Sequence, residues 1–307
     1  MSWRVGRWHR LRESEIGYSL RRSPLTVFAA MVTLAFAVAA IAAPLLAPHN
    51  PYDLASLSLV DALTPPRWDA KGKSEYLLGT DDQGRDVLST IIYGARLSLA
   101  VGATSVLLAA SLGVTLGLVS GYVGGRADAV MMRIADVQMS FPAILIALLI
   151  DGVLRGVLPL QTSDDLAIVV IILAIGLSTW PQYARTVRAS TMVERAKDYV
   201  KAAQLIGRHS AAILAHHVLP NVMGPVLVIA TIQLAVAIIL EATLSFLGVG
   251  IPPTTPSLGT MLRIGNNFMF SGQWWIIAFP GVALAMLVLS VNLLGDWLRD
   301  VLNPKLR

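Results

Sequence analysis

Residues 194–221 read ERAKDYVKAAQLIGRHSAAILAHHVLPN, a polar and basic stretch between two strongly apolar ones. Alanine, leucine, glutamine, lysine and arginine dominate it, and all of these favour helix. It contains one glycine, Gly207, and no proline before Pro220. The pattern predicts two short helices hinged at Gly207, with Pro220 ending the second because proline cannot continue a helix. A rigid segment held between two membrane spans indicates an element that carries movement from a soluble partner into a helical bundle.

Small residues inside this stretch favour close contact with another protein. Ala203 and Gly207 lie four residues apart, so on one helix they would share a face without bulk. A partner's backbone could then approach closely. The alternative interpretation is a connector helix on the membrane surface whose alanines are incidental.

The composition is that of a membrane protein. The 307 residues are 55% hydrophobic with a mean hydropathy of +0.65, whereas soluble domains are about 45–50% apolar. There is no cysteine, which excludes disulfides, cysteine-ligated metals and thiol nucleophiles. The net charge of +5 is spread along the chain, so it does not indicate a nucleic-acid partner.

Six apolar stretches are long enough to cross roughly 30 Å of hydrocarbon at about 1.5 Å per residue. The sequence therefore predicts an all-α polytopic membrane protein with six transmembrane helices. The predicted spans are Leu25–Ala43, Leu97–Tyr122, Ala129–Ile150, Leu166–Tyr183, Val222–Leu247 and Trp274–Leu294.

The chain divides around these spans. Residues 1–24 alternate arginine with tryptophan, leucine and isoleucine, which is typical of a basic segment on a lipid surface. A first transmembrane helix over 25–47 is favoured over a signal peptide, whose apolar run is only about 7–15 residues. A segment over 48–96 precedes a core transmembrane domain over 97–307, which contains the short helices at 194–220.

The two long connections carry different signals. Thr80, Asp81 and Asp82 make a helix start, so Arg85–Ala95 is predicted to form a short amphipathic helix. Gly248–Gln273 is rich in glycine and proline and is predicted to be a loop.

The basic residues predict the orientation. With the N-terminus inside, 17 of the 24 lysines and arginines fall on inner segments. The positive-inside rule then places both termini and residues 194–221 in the cytoplasm.

Several motifs resemble one family. Ala202-Ala203, Gly207 and His217-Val218-Leu219-Pro220 are similar to the EAA motif of permease subunits of ABC importers, although Lys201 replaces its glutamate and His217 its isoleucine. We call Glu194–Asn221 the coupling segment. Leu78–Val87 and Tyr93–Leu99 resemble the external signature of C-type permeases of dipeptide, oligopeptide and nickel importers. Further matches are Gly124–Arg133, Asp136, Phe141-Pro142, Leu244–Gly248, Pro256–Leu262 (Leu258 replacing tryptophan), Phe279–Gly281, Asn292–Asp296, Leu298–Asp300 and Pro304, with Asn303 replacing aspartate.

The resemblance implies a type I ABC importer permease fold in the bacterial inner membrane. It also implies a heterodimer with a second permease, two cytoplasmic ATPases and an external solute-binding protein. ATP and magnesium would bind the ATPases, and this chain would need no cofactor. The residues implied for ATPase coupling are Lys201, Ala202, Ala203, Gly207, Leu219 and Pro220. Those implied for docking of the binding protein are Asp81, Asp82, Arg85 and Asp86.

No phosphate-binding loop of the GxxxxGK[S/T] type occurs in the sequence, so the energy is expected to come from a partner. We expect ATP-driven closure of the ATPases to move the coupling segment as a rigid body. A bulky residue at Gly207 would then uncouple hydrolysis from uptake.

Polar residues inside the spans are candidates for the transport pathway. Asp136 and Glu241 carry charge where it costs roughly 2.5–3.5 kcal/mol. Arg133, one turn before Asp136, is an expected neutralising partner, and Glu241 stands near the outer end of its span. Gln233 is a further pathway candidate, with Ser105, Ser111 and Thr115, although small residues also mark ordinary helix packing.

The sequence gives less support to other functions. A secondary transporter would be expected to show inverted repeats and broken central helices. An intramembrane enzyme would need a catalytic set, and none is apparent. His216 and His217 diverge on a helix, so no metal site is predicted. Peptides lead as the solute, but nickel chelates, glutathione, haem and opines share the scaffold.

Overall fold

The computed structural model describes residues 23–53, 59–157 and 164–302. These residues are helical apart from loops, turns and one isolated bridge between Thr80 and Asp86. The predicted basic segment over 1–24 lies almost wholly outside the described residues. The helices are α1 (Pro24–Ile41), α2 (Ala43–Leu46), α3 (Val87–Val123), α4 (Gly125–Met139), α5 (Ala143–Val157), α6 (Asp164–Arg195), α7 (Asp198–Leu205), α8 (Ser210–Ile213), α9 (Leu219–Phe246), α10 (Leu258–Phe268) and α11 (Trp275–Leu302), with 3₁₀ turns at Leu59–Asp61 and Met269–Ser271.

The predicted all-α membrane fold is confirmed. Among the described residues, five helical stretches are long and apolar enough to cross a membrane, and α4 with α5 adds a sixth when this bent pair counts as one span. The sequence predicted one span over 129–150, and the structure divides it into two helices whose axes differ by 97°. Pro142 lies at the bend, and proline disfavours helix both at its own position and at the residue before it.

The second span is longer than predicted. Helix α3 has 37 residues, about 55 Å at 1.5 Å per residue. It includes most of the stretch predicted to form a separate amphipathic helix, because no residue between Val87 and Leu97 breaks the helix. Its N-cap is Asp86, whose carboxylate accepts from the Ser89 backbone N–H. The predicted start at Thr80 is therefore wrong.

Pro220 does not end the second helix. Helix α8 continues through a π-helical stretch, Leu214–Val218, directly into α9. Pro220 lies in the first turn of α9, directly after this π-helical stretch. The second predicted short helix is thus the first part of a membrane span.

Helix α3 packs along α6 through three glycines spaced four apart. A Cβ added to Gly113 would lie 2.4 Å from the Cβ of Tyr183, and one added to Gly117 would lie 2.6 Å from the carbonyl oxygen of Ala184. At Gly121 the nearest atom, the Arg188 carbonyl oxygen, would be 2.8 Å away. Only glycine permits this approach, and it gives the bundle its central helix pair.

Candidate functional site

The coupling segment forms one end of the bundle, which we call the coupling end. Helix α7 starts three residues after α6 ends, and its Gln204 amide donates to the Tyr122 hydroxyl at the end of α3, at 3.1 Å. The opposite end, where α3 begins and α9 finishes, is called the far end.

Gly207 terminates α7. Its φ is +75°, in the left-handed region that glycine adopts without strain. The Gly207 N–H donates to the Gln204 carbonyl at 3.0 Å, and the Arg208 N–H donates to the Ala203 carbonyl at 3.1 Å. These two bonds form a Schellman motif. The predicted turn at Gly207 between two helices is therefore present.

The sequence predicted that Ala203 and Gly207 share a helix face without bulky side chains, and this prediction is wrong. Ala203 is only 4% exposed and packs with Val200, Ile213 and Val218, while Gly207 lies beyond the helix in the turn. The exposed residues of α7 and its turn include Lys201, Ala202, Leu205 and Ile206.

Two large apolar side chains of the coupling segment face outward. Leu205 is 88% exposed and Ile206 is 77% exposed. They adjoin Gly207 at the tip of the segment, and Leu219 and Pro220 lie at the start of α9. Exposed apolar residues of this size are typical of a protein-binding surface. Neither residue was predicted to be a contact, because leucine and isoleucine on a helix are typical of its buried face.

A polar network fixes the coupling segment to two membrane helices. The Tyr199 hydroxyl donates to the Glu194 carboxylate near the end of α6 and accepts from the Asn221 amide near the start of α9, at 3.2 Å. Lys197 donates to the other oxygen of Glu194 at 2.6 Å. Partial burial, with Glu194 beside it, raises the pKa of the Tyr199 hydroxyl to about 12. The hydroxyl therefore remains a donor at neutral pH.

The residues predicted to dock a binding protein serve mainly as internal supports at the far end. Asp81, Arg85 and Asp86 are buried. The Arg85 Nε donates to Asp81 at 2.6 Å, and its Nη1 donates to the Pro253 carbonyl at 3.1 Å. Their predicted role is corrected, since these three side chains are enclosed within the chain. Asp82 alone is partly exposed.

Glu241 is also structural. It is fully buried, and its two carboxylate oxygens accept from the Ser98 hydroxyl at 2.6 Å and the Ser245 hydroxyl at 2.9 Å. The structure contradicts both a pathway position and contact with water. Another buried carboxylate, Asp151, was not predicted. It accepts from Arg155 at 2.7 Å, and the signal was their spacing of four residues on one helix.

Two of the predicted pathway residues lie close to one cavity of about 330 Å³. Gln233, at the middle of α9, lines this cavity. Asp136 lies 3.7 Å from Arg185, a lining residue on α6, and the predicted pairing with Arg133 is replaced by this contact. The full lining is Met139, Gln182, Arg185, Thr186, Ile229, Ile232 and Gln233.

The remaining polar candidates lie elsewhere. Ser111 and Thr115 are exposed on α3, and each hydroxyl donates to a backbone carbonyl of its own helix. Ser105 is buried. In the described ranges no three histidine or acidic side chains come together as metal ligands.

The fold and these sites define a class. The family model of the binding-protein-dependent transport system inner membrane component matches residues 113–307, and that of the N-terminal transmembrane domain of oligopeptide transport permease C matches residues 14–66. The chain therefore belongs to the family of inner-membrane components of binding-protein-dependent transport systems. It is a multi-pass permease subunit of an ABC importer, not an enzyme, and it shares the family's requirement for ATPase and binding-protein partners.

Individual relatives are closely similar. The di/tripeptide transport system permease protein DppC of Pseudomonas aeruginosa is 39% identical over 268 residues, which cover 87% of this chain and 84% of the relative. The dipeptide transport system permease protein DppC of Haemophilus influenzae is 40% identical, covering 89% of this chain and 88% of the relative.

Solved structures confirm the permease fold. Two inward-facing crystal forms of the MetNI methionine ABC transporter match with TM-scores of 0.54 and 0.55 at 19% and 21% identity. Each covers 70% of this chain, and 96% and 97% of the MetNI chains respectively. At this identity the likeness shows the fold alone.

Proposed function

We propose that the chain is one half of the translocation pathway of an importer for dipeptides and oligopeptides. A second permease supplies the other half, two cytoplasmic ATPases drive it, and a binding protein delivers the solute at the far end. The importer lies in the bacterial inner membrane with the coupling end in the cytoplasm. The names of the relatives support the solute class, and the coupling segment carries the proposed mechanism.

The coupling segment can transmit force because it is attached at both ends. Tyr199 joins α7 to the end of α6 and the start of α9, and Val200 and Ala203 pack into the apolar cluster below. A displacement of the exposed tip therefore moves α6 and α9 together. Nothing in the segment would let α7 slide independently of these helices.

The Leu205 and Ile206 side chains are the proposed contact with an ATPase. We expect Leu205→Glu with Ile206→Glu to abolish co-purification of the ATPases while the second permease remains bound, because charges would replace the apolar contact. The matched control is Phe270→Glu, which changes an equally exposed apolar residue, 93% exposed, at the far end. Unchanged ATPase recovery from the double variant would contradict the proposed contact.

The transport activity itself is tested with the complete importer in proteoliposomes. We expect uptake of a labelled dipeptide that requires both ATP and the binding protein. Uptake driven by an ion gradient without the ATPases would instead favour a secondary transporter.

A further inference from the structure

The cavity between α4, α6 and α9 is lined by polar groups that belong to two candidate membrane spans. Gln182 and Arg185 are exposed on α6, ten or more residues from its end at Arg195. Exposed amide and guanidinium groups are costly against lipid, and they face a cavity or another protein. Their helix face is therefore directed at the pathway or at the second permease.

Gln233 supplies an independent observation at the same cavity. Its side chain is only 3% exposed, and its amide nitrogen has no hydrogen-bond partner. A buried donor left unpaired costs about 1–3 kcal/mol. An acceptor that enters the cavity would recover this cost, so the site favours a solute with carbonyl or carboxylate oxygens.

Arg185 differs from its neighbour Arg188 in how firmly it is paired. Arg188 forms two bonds with Asp128, one of them Nη2 to Oδ2 at 2.6 Å. Arg185 and Asp136 are 3.7 Å apart, and each side chain is about half exposed. The Arg185 guanidinium is thus available to a competing carboxylate, and Asp136 would then be free to accept from an ammonium group.

We propose that this cavity is a transit site for the carboxyl end of a peptide. Arg185 binds the terminal carboxylate, and the Gln233 amide donates to the adjoining peptide carbonyl. This inference rests on the proposed function. The fork of a guanidinium matches a carboxylate with two parallel bonds, and a volume of about 330 Å³ is at the low end of the roughly 300–1,000 Å³ of small-molecule sites.

The remaining walls suit peptides of varied sequence. Met139, Ile229 and Ile232 line the cavity with apolar surface, and methionine adapts to different shapes. The charged and amide groups would hold what all peptides share, while the apolar walls accept different side chains.

The test compares a labelled dipeptide with its C-terminal amide in proteoliposomes that contain the complete importer. For each variant, the ratio of the two uptake rates is divided by the same ratio for the wild-type importer. The preference of the binding protein then cancels. We expect Arg185→Gln to lower the ratio of free to amidated peptide about tenfold, because the charge-assisted contact with the terminal carboxylate is lost. Arg185→Lys should retain most of the wild-type ratio, and the control Arg126→Gln, an exposed arginine on α4, should leave it unchanged.

Gln233→Met gives a second measurement that does not require Arg185 to be changed. It should lower uptake of both peptides several-fold and leave their ratio unchanged, because both carry the carbonyl. The transit site would be overturned by an unchanged ratio in Arg185→Gln, including the case in which both uptake rates fall equally. Full uptake in Gln233→Met would also overturn it. Absence of peptide uptake by the wild-type importer would instead reject the proposed function.

Discussion

Asp82 is the only one of the four acidic and basic residues in its turn that is not fully enclosed. Its Oδ1 is nevertheless buried without a hydrogen-bond partner. Burial, and then the charge of Asp81, raises the pKa of the Asp82 carboxyl above its ordinary value, while Arg85 opposes the shift. A raised carboxyl pKa means that the folded state favours the protonated form. The ionised form therefore destabilises the fold as the pH rises through this pKa.

Substitution of Asp82 should change the stability of the protein in a pH-dependent way. Asp82→Asn should raise the unfolding temperature of the purified importer at pH 7.5, because the amide carries no charge to bury. The gain should shrink as the pH falls toward 3.8, the ordinary value for this carboxyl. Thermal unfolding at pH 7.5 and 4.5 measures it, with Glu75→Gln, an exposed residue of the same segment, as the control. A gain that is larger at the lower pH would refute the assignment.

The turn at Gly207 was predicted from the sequence, but its backbone geometry was not. The sequence indicated a turn there, and the turn is present. The left-handed φ and the Schellman bonds, however, depend on where α7 ends, which the helix-forming residues on either side do not reveal. A Cβ at Gly207 would meet nothing within 4 Å, so a bulky substitution acts through backbone strain and contact with a partner.

At the scale of helices, the close pairing of α3 with α6 depends on three glycines of α3, namely Gly113, Gly117 and Gly121. Gly117→Ala should lower the free energy of unfolding by about 1–3 kcal/mol, because its new Cβ would overlap the Ala184 carbonyl and force the helices apart. The control is Gly152→Ala on α5, where a Cβ has open space. Thermal unfolding of the assembled complex measures both. Equal stability of the two variants would show that the close approach is unimportant.

The helices themselves were largely predictable, and their ends were not. Apolar length located five single spans and the stretch that forms the bent pair α4 and α5, because a stretch of about 20 apolar residues has few alternatives to crossing a bilayer. The break at Pro142 and the continuation of α8 into α9 both depend on a single proline. Proline can start, bend or end a helix, and only the packing around it selects among these.

Site residues were predictable to a lesser extent. Gln233 was singled out as a polar residue in an apolar span, and it lines the cavity. Arg185 was missed because it lies just past the predicted end of its span at Tyr183, where a charged residue is expected. Gln182 was missed although it lies inside that span. Glu241 was misread because its partner Ser98 is 143 residues away in the sequence, on another helix. Its other partner, Ser245, is four residues away on the same helix but carries no opposite charge.

For the molecule as a whole, Tyr199 links the coupling segment to the spans. Tyr199→Phe removes the donor to Glu194 and the acceptor for Asn221. We expect the importer to assemble and to hydrolyse ATP, but the peptide imported per ATP should fall several-fold because α6 and α9 no longer follow α7 together. Uptake and hydrolysis are measured in the same proteoliposomes.

Tyr183→Phe is the matched control for this prediction. The Tyr183 hydroxyl is buried without a hydrogen-bond partner, so its removal should leave the imported amount per ATP unchanged. An unchanged amount of peptide imported per ATP in Tyr199→Phe would contradict a transmitting role.

The outward-facing Leu205 and Ile206 have a consequence for the life of the subunit in the cell. A copy synthesised before its ATPases exposes two large apolar side chains to water on a short helix and its turn. Chaperones and quality-control proteases recognise exposed apolar side chains of this kind. Its abundance should therefore follow the supply of the motor subunits, and surplus copies should be degraded before they can leak solute across the membrane.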